Sequence, residues 1–480
     1  MKKKKIIILC IFIIIIIIFY SIYNSLNISK IDNLKTFQEK GIENNFFEKK
    51  LKQIVPANIK NYIKDTIFVF KKISILEQQL KDKNNLILEL LNNPQPFEFK
   101  TNQIQNKKLN TINLKLTTFT SPLLKLTGPR AYLSNYKSNL FLLTGTGILV
   151  HVPLKKFNEE KLLFTKIETN LTNIIGLDYI KKKGGVVKGF LIKNKKIYVS
   201  FEKKINNECF TNSILVSNLN FDKMTFSEFF IINDCQPKYL NQVGGYLSNY
   251  KEDKILMTTG DFGFYENGTS GDNHPQNIKS LFGKIISIDE NTREYKIISM
   301  GHRNPQGLYY DKNNDVIYST EHGPQGGDEI NINISPGKEI KNYGWPISSY
   351  GEHYGYPEAN NSEKYKEAPL NKSHIKYGFI EPLKYFTPSI APTQIIKTEK
   401  FIKIENKNII YIGSMGYPET IEEGDLSIHQ FILSEDLKIE EHNIIPVHDR
   451  VRDIMYIEKL NKIFMFLESS GSIGVLEVNN

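Results

Sequence analysis

EDKILMTTGDFG (252–263) and NDVIYSTEHGP (314–324) share one texture: a polar turn, then a short apolar run ending in Gly or another small residue. The pattern recurs as SNLFLLTGTG (138–147), NKKIYVSFEK (194–203), NKNIIYIGSMG (406–416) and LNKIFMFLESSG (460–471). The six copies begin mostly 54 to 62 residues apart, with one longer gap between the fourth and the fifth. That period fits a four-stranded blade with its loops, and six copies predict an all-β, six-bladed β-propeller over residues 97–480. A β-sandwich array is the competing reading, but it would not naturally give one signature strand per unit. In a propeller the strands nearest the axis deliver their loops around a central channel. The ends of the signature strands should therefore converge, together with HDRVRDIMY (448–456), which precedes the sixth.

The rest of the chain has a different character. KKKK (2–5) precedes an apolar run of about 18 residues starting at Ile6, the length that crosses a bilayer as a helix. Basic residues before the run keep the N-terminus cytoplasmic, and no small-residue cleavage site follows. The reading is a signal anchor over 1–30, with a cleaved signal peptide as the alternative. It places the propeller on the extracytoplasmic or periplasmic side of the inner membrane. Residues 31–96 carry apolar positions at near-helical spacing, interrupted at Pro56 and ended by NNPQP (92–96), so they read as a helical stalk and linker. The amphipathic LEQQLKDKNNLILELL offers a face for self-association; a plain spacer is the simpler reading.

The net charge of +10 is not the signature of a nucleic-acid binder, because Lys2 to Lys5 supply four of the charges and the other lysines are scattered among Asn and Glu. Of 62 basic residues only five are arginine, at 130, 293, 303, 450 and 452. An arginine in so lysine-rich a chain marks a place where a planar, bidentate fork is wanted. Cys209 and Cys235 are free to form one disulfide if the domain is exported, but nothing in the sequence demands it.

GHRNPQGL (301–308), EHGPQGGDEIN (321–331) and NYGWP (342–346) concentrate the chemistry. Pro305 and its flanking glycines present Arg303 and Asn304 on a loop of defined direction. The Gly-Pro turn exposes carbonyls, and Glu321, Asp328 and Glu329 add carboxylates, the oxygen ligands a hard cation prefers; a tight turn with solvated acids explains the motif as well. Arg450 and Arg452 alternate, so on a strand they share a face, where they repel unless an anion lies between them. A surface charge pair is the bland alternative.

These motifs, in this order, resemble the glucose/sorbosone dehydrogenase family, the soluble PQQ-dependent aldose sugar dehydrogenases. The resemblance implies a quinone cofactor lying over the channel of a six-bladed propeller, with a bound Ca²⁺ and a sugar or polyol as small-molecule partner. Carried over by motif, Arg303 and Asn304 contact the reactive quinone end, and the carbonyls of Gly323 and Pro324 hold the metal. Asp328 is the acidic residue of that loop, and His322 lies at a cofactor contact where soluble members have Gln. Arg450 and Arg452 clamp the cofactor's carboxylates. The departures fall on the chemistry. The family's general base is a histidine in H-x-x-G-R; here the element reads NQVGGYL, with Gln242 at the histidine position and Tyr246 at the arginine position. Leu171 and Met415 replace two further polar contacts. Two readings follow: a membrane-anchored dehydrogenase in which His322 or His302 acts as base, or a catalytically impaired propeller that binds a sugar, glycan or anionic ligand, or serves as an interaction module.

Overall fold

The signature strands are almost continuous apolar runs because both of their faces are covered. Lys254–Thr259, Val316–Glu321, Asn408–Ser414 and Lys462–Leu467 are buried along nearly their whole length. The computed structural model describes residues 75–76, 78–79, 81–82, 85 and 97–479, apart from 122–123, 125–129, 177–178, 181–184, 236–241, 264–273, 325, 352–372 and 417–423. Each signature strand is the second strand of a four-stranded antiparallel blade, and six such blades follow one another along the chain. The innermost strand of each sheet is the one before it: Ala131–Tyr136, Val187–Lys193, Gly244–Tyr250, Pro305–Asp311, Pro392–Lys397 and Val451–Ile457. These six touch their neighbours in a closed ring, the last against the first, which is the arrangement of a β-propeller. We number the sheets blade one to blade six by these inner strands.

The core follows from the ring. Six apolar clusters fill the six spaces between adjacent blades, for example Phe119, Phe464 and Leu133 between six and one, and Leu191, Leu247 and Ile286 between two and three. Blade six takes three strands from the C-terminal end of the chain and its fourth, Ile112–Thr120, from before blade one. That strand pairs with Ser472–Val478 from Leu114↔Val478 to Thr120↔Ser472. Phe97–Leu109 pairs with Ile112–Thr120 on one side and with the outer strand of blade one, Lys161–Lys166, on the other, so two blades share one continuous sheet.

Inner strands two to six share a local defect: a register shift against the second strand, between Val187 and Gly189, Gly244 and Leu247, Pro305 and Gly307, Pro392 and Ile395, and Val451 and Asp453. A bulge bends the strand and re-aims the extra residue. Every one lies at the N-terminal end of its strand. In antiparallel sheets this end adjoins the C-terminal ends of the signature strands, so all these positions gather at one mouth of the ring.

Toward the N-terminus the chain divides into two units, Met1–Leu80 and Lys81–Asn480. The described residues between 75 and 85 are helical. The predicted membrane span and most of the predicted stalk lie outside the described residues; among the described ones, no helix is long and apolar enough to cross a membrane. Cys209 and Cys235, left open by the sequence, are joined by a disulfide.

Closure gives a direct test. Leu116 is 1% exposed, faces Leu476 across the closing ladder and packs between blades five and six. Leu116→Ala should cost about 3 kcal/mol in urea unfolding. Ile104→Ala, on an exposed stretch of the neighbouring strand, should change stability by less than about 0.5 kcal/mol.

Candidate functional site

The 301–346 motifs are locked together before any ligand is considered. Gly301 has φ +74°, and a Cβ there would lie 2.2 Å from Asn342 Oδ1 and 2.6 Å from the Gly344 amide. Its carbonyl accepts from the Trp345 amide at 3.0 Å. Two residues on, the Arg303 amide donates to Glu321 Oε2 at 2.9 Å, and its carbonyl accepts from the Asp261 amide at 2.8 Å. The Arg303 guanidinium donates to the carbonyls of His322 and Gly323 and lies 5.4 Å from the ring of Trp345, whose indole N–H donates to Asp261 Oδ2 at 2.7 Å. Arg303 is thus held at both ends in a rigid frame.

The carboxylates of this region turn inward. His302 is fully buried, with Nδ1 on Glu321 Oε1 at 3.1 Å and Nε2 on Ser299 Oγ at 2.8 Å. Asn331 donates to both Glu321 and Glu329, and Glu329 meets His374 at 3.0 Å. Burial raises the Glu329 carboxyl above its usual range. Asp328 receives the amides of Gly323 at 2.9 Å, Ile390 at 2.9 Å and Ala391 at 2.7 Å. Burial pushes its carboxyl up to about 6 against the Gly323 and Ala391 amides. Asp328 therefore shapes the Gly323 turn from behind. Among the described residues, no group of three His, Cys, Asp or Glu is placed to hold a metal ion. The Gly323 carbonyl, which the resemblance assigns to the metal, accepts from the Arg303 guanidinium.

Gln242 adjoins this wall from blade three. It has φ +57°, its carbonyl accepts from the Phe262 amide at 3.1 Å, and its Oε1 is buried without a partner among the described residues. Asn304 stitches the two blades together, its Oδ1 accepting from the Gly244 amide at 3.3 Å and from Gln306 at 2.8 Å. His322 donates from Nε2 to the Pro392 carbonyl at 2.9 Å. Burial, reinforced by Arg452, Arg303 and Arg450, drops its pKa to about 3.

Across the ring the arginine pair is satisfied from within the chain. The anion between Arg450 and Arg452 is Glu468: Arg452 Nε donates to one carboxylate oxygen, and Arg450 Nε lies 3.6 Å from the other. Arg450 also donates to the carbonyls of Met415 at 3.1 Å and Gly416 at 2.9 Å. Burial works against the Glu468 charge, but Arg452, Arg130 and Arg450 hold its pKa at about 2. Lys188, on the bulge of blade two, pairs with Glu202 at 3.1 Å, and Glu202 also accepts from Tyr179. Tyr246 reaches from blade three to blade six, donating to Asp453 Oδ1 at 2.8 Å, while Oδ2 accepts the Leu133 amide of blade one at 2.7 Å. Beyond Tyr246, toward the other mouth, a 510 Å³ cavity is lined by all six inner strands, so this bond floors the site.

The structure brings Gln242, Arg303, Asn304, His322, Gly323, Arg450 and Arg452 to one mouth. Asp328 it sets behind the turn, and His302 it buries. Sequence reasoning missed Glu468, Lys188 and Asp453, although the ESSG ending and the DRVRD motif contained two of them.

Fold and site together define a propeller whose one mouth carries an arginine-centred polar site. The chain belongs to the glucose/sorbosone dehydrogenase family, which it matches over residues 185–473. An uncharacterized protein of Synechocystis is 29% identical over 227 residues, covering 44% of this chain and 50% of its own. The aldose sugar dehydrogenase YliI of Escherichia coli is 31% identical over 195 residues, 37% of this chain and 46% of its own. The chain thus spans about half the length of the curated relatives it matches. Among solved structures, the apo-form soluble aldose sugar dehydrogenase of Escherichia coli superposes with a TM-score of 0.54 at 20% identity, over 76% of this chain and 99% of that one. The holo-form pyranose dehydrogenase PQQ domain of Coprinopsis cinerea does so with a TM-score of 0.53 at 10% identity, over 78% and 98%. Both likenesses are of fold.

Burial raises the Asp453 carboxyl to about 7, so the folded protein holds a proton there that the unfolded chain releases near pH 4. Between these values the folded state binds more protons, and its stability falls as pH rises. Asp453→Asn removes that dependence. From about pH 5 to pH 8 the difference in urea midpoint between variant and wild type should shift in favour of the variant. A constant difference would refute the assignment.

Proposed function

We propose that this protein is a PQQ-binding, aldose-dehydrogenase-like propeller whose site binds quinone and sugar but lacks an effective proton acceptor. The observation that carries the reading is Gln242: its Oε1 is buried, without a partner among the described residues, beside the Asn304 and Arg303 wall, where the family resemblance expects a histidine. An amide can hydrogen-bond a sugar hydroxyl, but it has no usable basicity. Neither histidine compensates. His322, with a pKa of about 3, is a poor base at neutral pH, and His302 has both ring nitrogens engaged in a fully buried network.

The residues fit an anionic quinone. Arg450 and Arg452 would hold its carboxylates, with Glu468 yielding part of its hold, and Arg303 and Asn304 would face the carbonyl end. Bound there, PQQ supplies a two-electron acceptor. Ca²⁺ fits less well: the carbonyl of Gly323 is occupied by the Arg303 guanidinium, and a cation there would lie against a like charge. No role is derived for it.

Purified full-length protein should bind PQQ by calorimetry yet reduce dye with glucose and other aldoses slowly or not at all. Gln242→His should raise the rate by at least about 10²-fold, the low end of what a positioned base contributes. A histidine tolerates the left-handed backbone at 242 better than most residues. Fast turnover by the wild type would refute the missing base, and absence of PQQ binding would remove the quinone.

For location, the same proposal places the propeller outside the cytoplasmic membrane, anchored by residues 1–30. The support is the basic and apolar N-terminal sequence and the Cys209–Cys235 disulfide, which suits an oxidising compartment. Carbonate washing should leave the full chain in the membrane fraction with its N-terminus intact; release into the wash would overturn the anchor.

A further inference from the structure

Around the ring, the wall of Gln242, Asn304, Arg303 and Gly323 occupies blades three and four. Facing it, over blades six, one and two, is an arc of four cations: Arg450, Arg452, Arg130 and Lys188. Glu468 serves the arginine pair and Glu202 serves Lys188. Arg130 is different. It stands just before the inner strand of blade one, its carbonyl fixed by the Gly145 amide at 2.7 Å. Its half-buried guanidinium makes no hydrogen bond or ion pair with any described residue. Yet it lies within electrostatic reach of Glu468, Arg450 and Lys188.

The charges do not balance. Four cations face two carboxylates, Glu202 and Glu468. The third carboxyl nearby, Asp453, has its oxygens on the Leu133 amide and the Tyr246 hydroxyl, and burial favours its neutral form. A half-buried arginine beside two other cations is an unfavourable arrangement unless an oxyanion joins them. The fold also makes room for Lys188. Gly245 has φ +98°, and a Cβ there would lie 2.5 Å from Lys188 Cβ. The lysine stem thus packs against Gly245, three residues beyond Gln242. Lys188 sits inside the Val187–Gly189 bulge, as Arg452 sits inside the Val451–Asp453 bulge, so the same backbone device aims both toward the mouth.

We propose that Arg130 and Lys188 form a second oxyanion subsite, distinct from the arginine pair, that takes a carboxylate or phosphate group. This rests on reading the mouth as a ligand site. The group has two chemical sources: a further carboxylate of the quinone, or the acidic group of a sugar acid or sugar phosphate. The second source would make the site select acidic over neutral sugars.

Calorimetric titration of the full-length protein separates these cases without any need for turnover. The probes are PQQ, glucuronate, glucose 6-phosphate and glucose, applied to wild type and to Arg130→Gln. Because Arg130 makes no hydrogen bond or ion pair with any described residue, the variant should still fold cooperatively, as its melting curve will show. It should lose about tenfold in affinity for one anionic probe, the scale of one charge-assisted hydrogen bond, and nothing for glucose. Loss confined to PQQ assigns the subsite to the quinone; loss for glucuronate or glucose 6-phosphate assigns it to an acidic sugar. The paired variant Lys188→Met with Glu202→Gln, which leaves no buried charge alone, should show the same selectivity, and Arg130→Lys should retain most of the binding. If Arg130→Gln leaves every anionic titration unchanged, or no anionic probe binds the wild type, the subsite does not exist. Failure of PQQ alone to bind, with acidic sugars still bound through Arg130, would overturn the quinone reading and leave the subsite standing.

Discussion

The ladder between Ile112–Thr120 and Ser472–Val478 is the constraint on which the structure depends. Blade six has three strands of its own, and without a fourth its outer edge would stay open and the ring unclosed. Pairing the two ends of the described domain fixes all six inner strands at once, because each apolar cluster is shared by two blades and none belongs to a single blade. The functional geometry follows from that closure. Arg303, Gln242, Lys188 and Arg452 lie on four different blades and meet only because the inner strands cannot splay.

Closure brings strand ends together, but the bulges choose which side chains meet. An unbroken strand alternates its residues between the two neighbouring blades, and both directions are packed. A register shift frees one residue from that alternation. Lys188, Tyr246, Gln306 and Arg452 all fall within such shifts. The site is therefore written into the backbone irregularities of the inner strands, on a regular scaffold of second strands that the sequence repeats openly.

This division explains what could be read in advance. The second strands are buried on both faces, so they show as apolar runs at a steady period, and the six-fold count follows from them. Their rank did not: they lie second from the axis, because the inner strands are interrupted by polar residues and glycines that hide their character. The Arg303 loop and the Gly323 turn were legible from Gly and Pro, whose backbone demands are local. Glu468 between Arg450 and Arg452, and Tyr246 on Asp453 some 207 residues away, were not, since cross-ring partners leave no spacing to detect. The alternating arginines suggested a bound anion, and that the chain's own Glu468 lies between them was beyond the pattern. The acidic residues of the Gly-Pro turn left a cation and a plain turn equally open, and their inward direction was beyond the pattern: Glu321, Asp328 and Glu329 face amides and side-chain donors of the fold.

The electrostatics of the mouth bear on the missing base as strongly as the residue at 242 does. Any proton acceptor there works under the field of Arg303, Arg450 and Arg452, which already helps to depress His322. A cationic conjugate acid is disfavoured in that field, while a developing negative charge on a ligand oxygen is stabilised by it. The site is therefore built to receive electron density and anions, and is poorly suited to holding an abstracted proton on an imidazole beside the arginines. Position 242 lies on blade three, next to Arg303 and across the ring from the blade-six pair, and this chain has placed there an amide, which takes no proton.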